Sequence, residues 1–359
     1  MQPFVYDGLP SRVVFGRGTL SRLSEELDHL GCSRALVLAT PQQHEQANRV
    51  LAQLGEKGIG VYADAAMHTP VDVTDNALQV VKELNVDCTI AIGGGSTIGL
   101  GKAIALRTGL PQIAIPTTYA GSEMTPILGE TRAGIKTTQR TLDVLPETVI
   151  YDVDLTLTLP AEMSGTSGIN AIAHAVEALY ARDCNPVIAL MAEEGIAALA
   201  RSLPVIANDP SNVDARSDAL YGAWLCGTCL GSVGMSLHHK LCHTLGGSFN
   251  LPHAETHTIV LPHALAYNAP AVPDAMARIG RALGCSDAAV GLYDLGRAVG
   301  APSGLAELGF TPADVERATE IATQNPYWNP REIEATGIQQ LLSDAQAGRR
   351  PHAQPGGAP

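Results

Sequence analysis

Residues 87–106 read DCTIAIGGGSTIGLGKAIAL. A short apolar run, Cys88–Ile92, stops at Gly93-Gly94-Gly95-Ser96, and a helical pattern follows at once. Strand, glycine turn and helix in this order form the repeating unit of an α/β fold. Three glycines let backbone amides approach a pyrophosphate closely, and the N-terminus of the next helix adds a favourable dipole. The spacing is not GxGxxG, so the segment alone fits an ordinary turn as well as a nucleotide cradle.

Working outward, similar strands are predicted at Arg12–Phe15, Ala35–Ala39, Gly60–Ala63, Gln112–Pro116 and Val149–Asp152. Helical segments separate the early ones, which predicts βαβ units and a mostly parallel, Rossmann-like sheet over residues 1–158. Residues 124–140 carry Gly129 and Gly134 among β-formers and read as a hairpin insertion. After Leu159-Pro160 the helical period dominates to about residue 347, with breaks at Pro186, Pro210, Pro252, Pro270 and Gly309. The expectation is an all-helical second domain over 159–347, carrying the substrate, and a flexible tail over 348–359.

The strand end after the glycine turn runs AIPTTYAGSEMTP, residues 114–126. Thr117, Thr118 and Ser122 put hydroxyls where open α/β sheets bind ligands, beyond the carboxyl ends of the strands. Together with Gly93, Gly94, Gly95 and Ser96 they predict a dinucleotide site. At the end of the second strand stands Thr40, where an acidic residue commonly holds the adenosine ribose and repels a 2′-phosphate. A threonine lifts that repulsion, so NADH and NADPH both become candidates.

The net charge is −13, which argues against nucleic acid and anionic membranes as partners. No export signal and no apolar run of membrane-spanning length is visible, and a cytosolic protein is expected. Cys226 and Cys229 form a CxxC inside a helical stretch, with no second CxxC, and read as buried thiols.

Chemistry-bearing residues gather in the second half. In GINAIAHAVEALY, residues 168–180, Asn170, His174 and Glu177 share one helix face. In SLHHKLCHTLGGSFNLPHAETH, residues 236–257, His239 and His243 are one turn apart and His253 follows a helix-opening Pro252. His238 and Lys240 default to the surface or to a supporting layer.

These motifs identify a family resemblance. GGGS, PTTYAGSE, NAIAHAVEA and the spacing of His239, His243 and His253 resemble the iron-containing alcohol dehydrogenases from residue 13 to about residue 345. In that family a nucleotide domain and a helical domain enclose a cleft, and one aspartate and three histidines bind a divalent metal. The matching positions are Asn170, His174, His239 and His253, and His243 matches a histidine near the nicotinamide. The resemblance is closer still to the maleylacetate-reducing branch, through GGGSTIGLGKAIAL, PTTYAGSEMTPILGET, GIKTTQR and the asparagine form of the 168–180 helix. Metal-dependent members usually carry an aspartate where this chain has Gly99, and another where it has Thr40.

The resemblance implies a homodimer and reduction of maleylacetate, a dicarboxylate, to 3-oxoadipate. A neutral amide at Asn170 weakens a metal site, and it also removes a charge that would repel a dianion. The expectation is therefore no obligatory metal, with Asn170, His174, His239, His243 and His253 contacting substrate. His243 is the candidate proton donor, His253 its relay, and Lys136 the cation for a carboxylate, with Arg140 and Lys240 behind it. A metal-dependent alcohol or glycerol dehydrogenase and a dehydroquinate synthase are the competing readings.

Overall fold

The computed structural model describes residues 4–351, apart from the Lys136 side chain. The described residues divide into two compact units, Gly8–Leu159 and one made of 160–351 together with 4–7.

In the first unit six strands run parallel: β1 (Arg12–Gly16), β2 (Ala35–Leu38), β3 (Gly58–Tyr62), β4 (Cys88–Gly93), β5 (Gln112–Pro116) and β8 (Thr148–Asp152). The interposed β6 (Ile127–Arg132) and β7 (Ile135–Arg140) form the separate antiparallel hairpin. Its turn, Ala133-Gly134, has both φ angles positive, at 49° and 78°, which matches the twist of a two-residue hairpin loop. The predicted third strand begins two residues early, at Gly58, because Gly58 and Gly60 have no side chains to show the period of two.

Helices α1 (Leu23–Leu30), α2 (His44–Leu54), α3 (Val71–Glu83) and α4 (Gly95–Thr108) cover both sheet faces. Val37, Ile90 and Ile92 pack with Leu27 of α1 and Val50 of α2, whereas Leu36 and Leu38 pack with Ala77 of α3 and Ile104 of α4. Strands buried on both sides need no polar alternation, which is why β2, β4 and β5 read as unbroken apolar runs. The strand order is β1-β8-β5-β4-β2-β3. From β2 the chain moves outward to β3, and from β4 it moves the other way to β5. The loops leaving β2 and β4 therefore diverge and open a crevice at the topological switch point.

The second unit is helical: α5 (Ala161–Leu179), α6 (Pro186–Asn208), α7 (Val213–Ser232), α8 (Leu237–Phe249), α9 (His253–Asn268), α10 (Pro273–Leu283), α11 (Ala288–Ala298), α12 (Asp314–Thr323) and α13 (Ala335–Gln346). Its starts are written in the chain. Asn185 Oδ1 accepts from the Val187 and Ile188 amides ahead of Pro186, and Asp287 Oδ1 accepts from those of Ala289 and Val290. Helix α5 is buried at every position from Ser164 to Leu179 and lies against α6, α7 and α9. Its small residues allow that enclosure.

Cys226 and Cys229 are fully buried and all seven cysteines are free thiols. Residues 348–351, placed with the tail by the sequence, have contacts of their own. Gly348 O accepts from Tyr293, while Arg349 and Arg350 pair with Asp344 and Asp294 at 2.7 and 2.6 Å. Residues 352–359 lie outside the described chain. No single helix among the described residues is long and apolar enough to cross a membrane.

Helices α6 and α7 meet through Gly195 and Gly222. A Cβ on Gly222 would stand 2.8 Å from Leu199 Cγ and 3.0 Å from the Gly195 carbonyl oxygen. Gly222→Ala should therefore cost about 1–3 kcal/mol by forcing the helices apart. Urea unfolding reads this as a lowered midpoint at constant slope, and an unchanged midpoint would show that the crossing yields freely.

Candidate active site

The helical unit gathers the histidines around one buried carboxylate. Glu177, on α5, is completely enclosed. Its oxygens accept from the backbone amides of Ser236 at 2.7 Å and His238 at 2.8 Å, at the start of α8. The same carboxylate accepts from His239 Nδ1 at 2.8 Å. A carboxylate that only accepts leaves the proton of His239 on Nδ1, so Nε2 is a bare lone pair. That lone pair faces His174 Nδ1 at 2.9 Å, which must be the donor. Glu177, His239 and His174 thus form one directed hydrogen-bond chain.

His257, on α9, fills the centre. Its ring centroid is 4.2 Å from that of His253, 4.8 Å from His238, 5.1 Å from His239 and 6.4 Å from His174. Neither ring nitrogen of His257 has a hydrogen-bond partner. Burial pushes the His257 and His239 imidazoles well below their usual range, and His238 down to about 3. These three are neutral bases at physiological pH. Burial pushes Glu177 the other way, up, against the two amides and the imidazoles that favour its charge.

Asn170 lies one turn before His174 on α5 and is 3% exposed. Its Oδ1 is buried and has no hydrogen-bond partner. An amide oxygen stranded beside a histidine cluster is a group waiting for a ligand atom. His243 and His253 stand at the exposed edge of the cluster. His243 Nδ1 lies 3.0 Å from the Tyr327 hydroxyl, on the loop between α12 and α13.

The family resemblance raises a metal at Asn170, His174, His239 and His253, a set of one amide oxygen and three imidazoles. Every candidate ligand is a neutral amide or imidazole, and Glu177 has both oxygens engaged. His239 Nε2 and His174 Nδ1 are spent on each other. His238, His239 and His257 do bring ligand atoms within 4.8 Å of one another. There, too, His239 is committed on both nitrogens, and His238 donates from Nε2 to the His257 carbonyl.

In the α/β unit, the loops beyond β2, β4 and β5 meet at the switch point. Gly93 has φ +150°, and a Cβ there would strike Gln43 Oε1 and Thr97 Oγ1 at 2.6 Å. Gln43 is the joint. It accepts from Thr40 Oγ1 at 3.2 Å and donates to Thr117 Oγ1 at 3.1 Å, tying the end of β2 to the end of β5. Thr118 packs over Gly94, 3.2 Å from where a Cβ would be. No heavy atom stands within 4 Å of a Cβ on Gly95, at the open start of α4. The 117–127 loop is pinned by Lys102, fully buried on α4. Its ammonium donates to the carbonyls of Ser122, Thr125 and Ile127 at 2.6, 2.7 and 2.9 Å. Burial pushes Lys102 down to about 7, while the buried carboxylate of Glu123 pulls it back up.

Gly99 also has a structural reason. A Cβ there would lie 2.3 Å from Thr69 Oγ1, so threonine occupies the room that an aspartate would need.

The structure thus brings Asn170, His174 and His239 into the histidine-bearing unit's core, with His243 and His253 at its rim. It brings Thr40, Gly93, Gly94, Gly95, Thr117 and Thr118 to one crevice. Lys136 lies on β7, and its side chain is outside the described residues. His238 is not on the surface; it is wholly buried as a support for His257. Gln43, His257 and Tyr327 were missed. His257 had a signal, one turn after His253 on a helix opened by proline. Gln43 and Tyr327 had none, because their partners are 74 and 84 residues away.

The chain matches the family model for iron-containing alcohol dehydrogenase over residues 10–153, and the model for the C-terminal part of the Fe-containing alcohol dehydrogenase family over residues 164–346. A maleylacetate reductase from Sphingobium indicum is 58% identical over 348 residues, covering 97% of this chain and 99% of the relative. A crystal structure of maleylacetate reductase from Agrobacterium tumefaciens superposes with a TM-score of 0.95 at 56% identity, covering 98% of this chain and all of the other. A crystal structure of the maleylacetate reductase of Rhizobium sp. strain MTP-10005 gives the same TM-score, 0.95, at 56% identity and the same coverage. With its parallel nucleotide-type sheet, its helical unit and its histidine cluster, the chain belongs to the iron-containing alcohol dehydrogenase family, whose members are NAD(P)-dependent oxidoreductases.

Proposed function

We propose that this chain reduces the carbon–carbon double bond of maleylacetate, and of chlorine-bearing maleylacetates, to the corresponding 3-oxoadipates in aromatic-compound catabolism. The hydride comes from NADH or NADPH. The observation that carries this reading is the full-length, 58% identical likeness to a maleylacetate reductase.

The double bond is conjugated to a ketone. Hydride from C4 of the nicotinamide adds to the carbon β to that ketone, and the displaced electron pair becomes an enolate. A proton then joins the carbon between them. One NAD(P)H and one proton are consumed, and NAD(P)⁺ and 3-oxoadipate leave. The enolate is more delocalised than a simple alkoxide, so hydrogen-bond donors suffice to stabilise it and no metal is obligatory.

In this reading Gly93, Gly94, Gly95 and Ser96 cradle the pyrophosphate at the start of α4, with Thr117, Thr118 and Ser122 around it. Thr40 takes the place of an acidic residue at the ribose, which admits a 2′-phosphate. Asn170, His174 and His239 line the pocket without a formal charge to oppose the dianion, His239 by holding His174 in place, and Lys136 supplies a cation. His243 delivers the proton, with His253 or a water as relay. The protein acts as a cytosolic homodimer joined through its N-terminal segment, where Phe4, Val5 and Tyr6 are exposed ahead of the edge strand β1. Neither nucleic acid nor membrane is a partner.

With EDTA present, the purified protein should oxidise NADH on addition of maleylacetate at its untreated rate. Complete loss, reversed by iron or zinc, would instead favour a metal-dependent alcohol dehydrogenase. His243→Ala should lower kcat about a hundredfold while NADH binding, read by fluorescence titration, stays intact. Retained turnover would remove His243 from the chemistry. Asn170→Asp returns the charge: KM for maleylacetate should rise about tenfold or more, while affinity for a divalent metal increases. Unchanged constants on both counts would make Asn170 a packing residue.

A further inference from the structure

We infer that Lys240 and Tyr327 form a subsite for one carboxylate of the substrate, and that Tyr327 couples this subsite to the proton donor. The inference rests on the maleylacetate reading and names a cation within the helical unit itself. Lys240 and His243 are three residues apart and share a face of α8. Lys240 is half-buried, and no carboxylate among the described residues pairs with it. Its Nζ lies 5.8 Å from the centre of the Tyr327 ring, a cation–π distance. The protein carries a formal charge of −13, with 36 acidic residues against 23 basic ones. A half-buried ammonium left unpaired in so acidic a chain, one turn from the candidate acid, is free to take an anion from outside.

Tyr327 joins the two functions. Its ring face holds the ammonium, and its hydroxyl lies 3.0 Å from His243 Nδ1. With Nδ1–H donating to the tyrosine hydroxyl, the imidazolium carries its second proton on Nε2 and is left a neutral imidazole when that proton is given up. His243 is then poised as a donor toward the ligand that Lys240 holds.

The loop bearing Tyr327 is built to hold it in place. Asn329 and Asn268 exchange side-chain hydrogen bonds at 2.7 and 2.9 Å, at the end of α9. Arg331 donates to the Tyr267 carbonyl at 2.7 Å and lies 4.3 Å above the Tyr267 ring. The Tyr267 hydroxyl donates to the Glu332 carbonyl at 2.5 Å. Three contacts thus clamp residues 329–332 just beyond the tyrosine. Trp328, next in the chain, lines a concavity of about 360 Å³ together with Arg182, Asp183, Gly234 and Met235.

The two halves of Tyr327 separate by mutation. Lys240→Met should raise KM for maleylacetate about tenfold or more, with kcat within a factor of about three and KM for NADH unchanged. Lys240→Arg should recover most of the loss. Tyr327→Phe keeps the ring under Lys240 and deletes the hydroxyl. It should leave KM for maleylacetate near the wild-type value, lower kcat about tenfold and move the pH at which kcat falls. Lys240→Gln reads the same KM effect should the methionine variant fail to fold. A wild-type protein that leaves NADH unoxidised in the presence of maleylacetate overturns the activity itself. A wild-type protein that turns over, while the Lys240 variants keep its KM or Tyr327→Phe keeps its kcat and pH profile, overturns this inference alone.

Discussion

The helical unit is organised by one carboxylate that has no access to water. A fully buried Glu177 is costly unless every lone pair is used. Two backbone amides at the start of α8 and one imidazole between them engage both of its oxygens. These bonds fix where α8 begins relative to α5, and through His239 they fix which nitrogen of His174 carries a proton. Removing the carboxylate would strand two amides and release the tautomer of His239 together. The position of the histidines is therefore a consequence of satisfying a buried charge.

The family's metal set is altered by the loss of one charge, and the surroundings are consistent with that loss. Replacing a carboxylate by Asn170 leaves a buried oxygen without a partner, flanked by imidazoles that burial keeps neutral. Such a pocket has polar atoms and no net charge of its own beyond the spent Glu177. The open atom there is an acceptor, and the pocket adds no formal charge of its own to oppose an anion. The same tendency is seen in the other unit, where Gly99 yields its space to Thr69.

Much of the architecture was legible because both of its periods are local. Strands buried on both faces show as apolar runs, and proline with asparagine or aspartate marks where α6 and α11 start. The glycine turn between β4 and α4 was legible for the same reason, since Gly93 to Ser96 are contiguous. What lay beyond reach depends on pairs distant in the chain. Gln43 bridges Thr40 to Thr117, and Tyr327 reaches His243 from the far side of α12. His238 stayed open between the surface and a supporting layer for a different reason: its helix spacing says which face it occupies, but not that α9 covers that face. Burial of a helix with polar residues on several sides is a tertiary fact.

The arrangement also explains how an acidic protein can handle a dianion without a broad basic surface. Attraction at a distance would need net positive charge, which this chain lacks. Selectivity must then come at short range, from cations left unpaired where the ligand sits and from donors with no anion of their own to satisfy. Lys240 meets the first condition. A lysine already paired to a glutamate would have to break that pair before binding a carboxylate, and its net gain would be small. Resting the ammonium against the Tyr327 ring instead keeps it in place with a weaker, non-competing partner, so that the incoming carboxylate strengthens the contact rather than replacing it.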